Sequence, residues 1–152
     1  GAHTYALLAS AMAAGSLAGA LVAGARGRVS TQLLIGACTA FGGFALLAAG
    51  SSSLAVATVA LALVGAASVT FVAGVNSTLQ LEVEPAMRGR VMALYSVVFL
   101  GSTPIGGPLV GWLAEVAGPR SGLLVAAVAA LAAAVLAGVW NGRLERAVAN
   151  PG

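Results

Sequence analysis

Few side chains in this sequence could do covalent chemistry, and they stand far apart. One histidine (His3), one thiol (Cys38) and four carboxylates (Glu82, Glu84, Glu115 and Glu145) are the whole stock of groups suited to hold a metal or to act as a base near neutrality; Asp and Lys are absent. A metal centre needs three or four such ligands brought together, and a nucleophile needs a base beside it. His3 reads as a solvated residue close to the start. Cys38, inside an apolar run, reads as a small packing side chain with no second thiol to pair with. These residues call for no cofactor and no metal, and the chain is not expected to be an enzyme.

Polar groups embedded in apolar runs carry a stronger signal. At 100° per residue, Thr58, Gly65, Ser68, Asn76 and Gln80 fall within an arc of about 120° on one helix, so small and polar groups share a face. Amides and hydroxyls are costly in lipid and turn toward a bundle interior or a water-filled cavity. Ser68, Asn76 and Gln80, with Thr103 on the next run, are therefore expected to line a pathway. A purely structural alternative stands beside this: Ser68 bonds back to its own helix and Asn76 bridges to a neighbour. Asn76-Ser77-Thr78 also matches a glycosylation sequon, but it sits at the end of a span and is read as accidental. Further on, Gly101, Pro104, Gly106, Gly107, Pro108 and Gly111 break the regularity that lipid imposes on a helix, and the freed carbonyls need a neighbour or a cavity. Such a helix is expected to bend during function or to hold a static kink.

The elements that must position these groups follow from composition. Of 152 residues, 60% are hydrophobic and 7% charged, against roughly a quarter charged in a soluble domain. That excludes a water-soluble globule and makes the lipid bilayer the first partner. The charges cut the chain into apolar runs at about 5–24, 31–49, 54–79, 91–113 and 122–140. Residues 29–81 carry no charge, too long for one crossing of a layer about 30 Å thick, so Gly50-Ser51-Ser52-Ser53 is read as a turn. All five runs are expected to be transmembrane helices, since about 20 residues rise about 30 Å and satisfy their own hydrogen bonds. A β-barrel is excluded by the lack of alternation.

Arg26, Arg28, Arg88, Arg90, Arg143 and Arg146 fall on one side and Arg120 on the other. The positive-inside rule makes the six-arginine side cytoplasmic and places the start of the chain outside. Tyr5, Trp112 and Trp140 come at span ends, at the headgroup level. A net charge of +3 spread as isolated pairs does not make a nucleic-acid surface. Small residues at intervals of four (Ala11, Gly15, Gly19 and Ala23; Thr103, Gly107 and Gly111; Ala126, Ala130, Ala134 and Gly138) offer smooth stripes to neighbouring helices. Residues 1–146 are expected to form one transmembrane domain and 147–152 a cytoplasmic tail. Because the first residue is Gly1 and not Met, the chain is expected to be a piece of a longer protein.

The order Asn76-Ser77-Thr78-Leu79-Gln80, Pro85, Arg88-Gly89-Arg90-Val91-Met92-Ala93-Leu94-Tyr95, Gly101, Pro104, Gly106, Gly111 and Gly118 resembles the tenth helix, loop and eleventh helix of major facilitator superfamily permeases, in the branch of the enterobactin exporter and macrolide-efflux-like proteins. The resemblance implies an all-α membrane fold, with the five spans as helices eight to twelve of twelve. It implies a fragment of a secondary active transporter, a proton-driven efflux permease working by alternating access on a small hydrophobic or amphipathic molecule such as a drug or siderophore, in the plasma (inner) membrane. Glu82, Glu84, Arg88 and Arg90 would then form a cytoplasmic gating loop, with the glutamates as counter-charges, and the helix at 101–111 would line the central cavity. The superfamily's other loop signature is only partly present, since Gly27 and Arg28 fit but Gly24 and Ala25 replace its Asp and Arg. Gly19-Ala20-Leu21-Val22 before Arg26 echoes Gly107-Pro108-Leu109-Val110 before Arg120, as inverted repeats would. The amino-terminal half would be a partner this chain lacks. The rival reading is a non-transporting membrane scaffold or interaction subunit.

Overall fold

Each apolar run becomes helical. In a computed structural model that describes residues 2–26, 29–118 and 120–149, six helices are present: α1 (Ala2–Arg26), α2 (Thr31–Gly50), α3 (Leu54–Glu82), α4 (Pro85–Gly101), α5 (Thr103–Ala117) and α6 (Ser121–Ala149). The α4 and α5 segments together make one candidate membrane crossing, giving five helical crossings long and apolar enough for a bilayer.

The boundaries have local causes. Ser30 caps α2, its hydroxyl accepting from the Leu33 N–H at 3.2 Å. Ser51 ends α2 in an extended conformation, and its Oγ donates to the Ser53 carbonyl and accepts from the Ser53 N–H, which closes the turn. Pro85 stands at the start of α4, where its missing N–H costs nothing and its ring holds Glu84 extended. Gly118 turns the chain between α5 and α6 at φ +90°, a conformation that a Cβ would oppose.

Helices pack through small residues. The α3 helix lies between α1 and α2, and α2 lies between α3 and α6. At the α1–α3 crossing, a Cβ on Gly15 or Gly19 would collide with the backbone of Ala62 or Ala66, and one on Gly65 with the Met12 carbonyl. Gly42 of α2 accommodates Leu131 of α6, and Gly74 of α3 accommodates Leu34 of α2. The core is correspondingly lean: Ala45, Val64 and Ala127 are buried, with Phe41 and Phe44 packed against them. Where lipid is the solvent, close approach of backbones does the work that large buried side chains do in water. Interhelical hydrogen bonds add to it: Cys38 Sγ donates to the Ala130 carbonyl, Thr70 Oγ1 to that of Gly19, and Arg120 reaches the Ser51 carbonyl at 3.0 Å.

The structure departs from the sequence expectations in three places. Residues 82–90 are not an open loop, because Glu82 closes α3, only Val83 and Glu84 separate the helices, and Arg88 and Arg90 lie in the first two turns of α4; the start at Pro85 extends the helix through the polar residues. The Gly107 and Gly111 stripe meets no neighbour within 4 Å among the described residues, and neither does Gly138. The α6 helix continues through Asn141, whose Nδ2 donates to Glu145 Oε1 one turn on, and runs to Ala149 into the expected tail. Arg28 and the tail residues 150–152 lie outside the described residues.

Candidate functional site

The expected pathway residues divide into two groups. On α3, Ser68 is half-buried and its hydroxyl donates to the Gly65 carbonyl at 3.1 Å, the back-bonded arrangement that satisfies a hydroxyl within its own helix. Ser68 also lines a small apolar cavity of about 190 Å³ with Cys38, Phe41, Phe71, Val72 and Ala130. A neighbouring space of about 270 Å³ continues along α2, again with Cys38 and Phe71, toward Ala133 and Ala137. Together they form a groove on α2, walled by α3 on one side and α6 on the other.

Asn76 lies two turns further along α3. Its Nδ2 donates to the Val72 carbonyl and to the Tyr95 hydroxyl of α4, each at 3.4 Å. Tyr95 in turn stacks on Phe99, one turn further along α4, with ring centroids 5.6 Å apart and planes 20° from parallel. Gln80 is exposed, one turn beyond Asn76. Thr103 is exposed at the start of α5, and α5 makes no contact with α3. Thr103 is therefore not brought together with Ser68, Asn76 and Gln80, and the four residues do not form one site. The helical face placed the α3 residues together; the position of the next span relative to it was beyond a periodicity argument.

The break expected in the fourth span falls at Ser102, between Gly101 and Pro104. Ser102 keeps helical dihedrals, its N–H donating to the Val98 carbonyl and its carbonyl accepting from the Gly106 N–H at 2.7 Å. Its hydroxyl takes the Phe99 carbonyl at 2.8 Å. Pro104 and Pro108 have no N–H to donate to the Leu100 and Pro104 carbonyls, and the Leu100 carbonyl takes the Ser102 N–H instead. No residue of α4 or α5 is buried. Ile105 is 75% and Trp112 60% exposed, and a Cβ on Gly101, Gly106, Gly107 or Gly111 would meet open space. The segment touches the rest of the bundle through α4 against α3 and α5 against α6, where Ser121 Oγ donates to the Leu113 carbonyl at 3.0 Å.

At the other polar end, Glu82 and Glu84 make no ion pair with Arg88 or Arg90 among the described residues, so the expected counter-charges are not in place. Both arginines sit near the amino end of α4, where the helix dipole disfavours positive charge. Both arginines are exposed. Among the described residues no three His, Cys, Asp or Glu side chains could hold a metal.

Sequence reasoning overlooked Tyr95 and Phe99 as partners of Asn76. The signal was available, since aromatic residues four apart on a helix meet. It also overlooked the Arg120 bond to Ser51, for which only the isolation of that charge on its side of the membrane gave a hint.

A family model described as transmembrane secretion effector, a branch of the major facilitator superfamily, matches residues 1–148. No curated protein and no solved structure matches the chain.

Proposed function

The chain belongs to the transmembrane secretion effector family of the major facilitator superfamily, and from that premise we propose that it forms most of the second half of an efflux permease that moves a small hydrophobic or amphipathic molecule by alternating access. As a family member it is a multi-pass membrane transporter and not an enzyme. Export as the direction, protons as the driving force and a drug-like or siderophore-like cargo are the finer parts of the proposal. No Glu lies centrally in a crossing, so the coupling acid belongs to the half this chain lacks.

The observation that carries the reading is the α4–α5 crossing: a membrane span that holds two prolines, Pro104 and Pro108, and has no buried residue among those described. In lipid, a helix whose regular hydrogen bonding is interrupted by prolines is tolerated where protein or a water-filled cavity lies against it.

The packing pattern supports a missing neighbour. In inverted three-helix repeats, α3, α4–α5 and α6 would form the second unit, and an additional helix with α1 and α2 the first. The α2–α6 contact would then lie on the pseudo-two-fold axis. The contacts of α3 with α1 and α2 would have as mates contacts of the additional helix with α4–α5 and α6. Those are the faces left bare, beside the apolar groove between α3 and α6. The partner proposed is thus the amino-terminal portion of the same permease, including one helix that covers α4–α5.

Arg88 and Arg90, unpaired within this bundle, are proposed to gate at the cytoplasmic face by engaging anionic groups outside it. The complete protein, expressed in a host lacking other efflux systems, should lower accumulation of at least one compound in a panel of drugs and siderophores, and an uncoupler should abolish that effect. An Arg88→Ala, Arg90→Ala double variant should insert normally and export at least tenfold more slowly. Undiminished export by that variant would remove the gating role; full accumulation of every compound by the unaltered protein would overturn the transporter reading in favour of a scaffold.

A further inference from the structure

We infer that Asn76, Tyr95 and Phe99 form a recognition site for a planar aromatic ring bearing a hydrogen-bonding substituent, an inference that rests on the transport reading above and names its cargo class. The hydrogen-bond inventory carries the argument. Asn76 has two amide protons, and both are used, on the Val72 carbonyl and on Tyr95 Oη. What remains is the Asn76 Oδ1 acceptor and the Tyr95 hydroxyl proton. An unspent acceptor and an unspent donor thus stand side by side on facing helices. With its phenol oxygen already accepting from Asn76, Tyr95 is held in one orientation and its O–H is polarised toward the next acceptor.

Phe99 supplies the rest. It stacks on Tyr95 yet remains 49% exposed, and no other described ring packs on the pair. A ring pair on the unburied face of α4 offers a further aromatic group an edge or a face, the geometry such groups prefer. Asn76 lies about two turns inside the Glu82 end of α3, and Tyr95 about three turns inside the Pro85 end of α4. The site is therefore within the membrane but close to its polar boundary, where a cargo with an apolar ring and a polar edge would partition.

A helix-to-helix hydrogen bond alone would need Asn76 and a hydroxyl. It would not need a phenol, or a second ring stacked on that phenol. The distinguishing property is selectivity among cargoes, which a packing role cannot generate.

The test uses the complete permease in proteoliposomes with three probes: 2-naphthol, naphthalene and octanoate. Tyr95→Phe, which keeps the ring and removes the hydroxyl, should slow transport of 2-naphthol about three- to tenfold and leave naphthalene, which has no hydrogen-bonding group, within twofold. Phe99→Leu should slow both aromatic probes more than octanoate. Equal effects of either variant on all three probes would reduce the cluster to packing and overturn the inference. So would a permease that carries octanoate but neither aromatic probe, while leaving the transport reading intact. A permease that moves no probe and exports nothing from the wider panel would overturn both together.

Discussion

A methyl group on Gly15 tests the claim that backbone contact, and not apolar burial, holds α1 to α3. An ideal Cβ at Gly15 falls 2.8 Å from Ala62 Cα, against the 3.4–4 Å of an ordinary van der Waals contact, so the atoms must part by at least 3.4 − 2.8 = 0.6 Å, with the Ala62 carbonyl oxygen closer still. These are backbone atoms, and they cannot swing aside as a side-chain tip would. A gap of about 0.5–1 Å forfeits a quarter to a half of each dispersion contact, and the crossing extends a full turn to Gly19 against Ala66. Overpacking of this kind costs about 1–3 kcal/mol. Helix propensity acts the other way, favouring Ala over Gly by about 1 kcal/mol. Gly24, on the same helix with nothing within 4 Å of its ideal Cβ, supplies the control, because the propensity gain is common to both sites and cancels. Gly15→Ala should therefore be less stable than Gly24→Ala by about 1–3 kcal/mol, measured by reversible unfolding of the complete protein in mixed micelles. Gly15→Ala combined with Gly65→Ala should cost less than the sum, since one separation of the helices admits both methyls. Equal unfolding midpoints for the Gly15 and Gly24 variants would refute the close crossing.

Two further outcomes follow from the same structure. With Cys38 replaced by Ser, single cysteines at Ser52 and Ala86 should differ in reach: an impermeant thiol reagent added to intact cells should label only the first, and labelling of Ala86→Cys alone would invert the proposed orientation. Pro108→Ala would restore an N–H for the Pro104 carbonyl and remove a residue that costs a helix interior about 3 kcal/mol; it should raise stability while slowing export several-fold, and unchanged turnover would show that α5 does not flex in the cycle.

What was legible in the sequence is what lipid enforces locally. A helical membrane fold could be read because each crossing must satisfy its own backbone and the few charged residues cannot enter it. The Gly50–Ser53 turn could be read because small polar residues interrupt an uncharged stretch too long for one span. The stripe at Gly15 and Gly19 could be read because its partner, α3, is in the same chain. The segment 82–90 was misread because polarity was taken to mean loop, although Pro85 carries the opposite signal, a helix start. Tyr95 escaped notice as the partner of Asn76 because the polar face of α3 was followed along one helix, and its counterpart lies on another.

The bare α4–α5 crossing is the harder case and the more informative one. The spacing of Thr103, Gly107 and Gly111 has the same form as that of Gly15 and Gly19, yet one stripe is packed against a backbone and the other faces nothing among the described residues. Identical local patterns with opposite outcomes mean that the difference lies in the partner and not in the stripe. A small-residue face in lipid gains nothing from exposure to acyl chains, which are as apolar as Leu. Two prolines and a break at Ser102 add a cost that a lipid-facing span has no means to recover. The pattern makes physical sense when a helix or a water-filled cavity lies against this face, and both are supplied where two halves of a transporter meet.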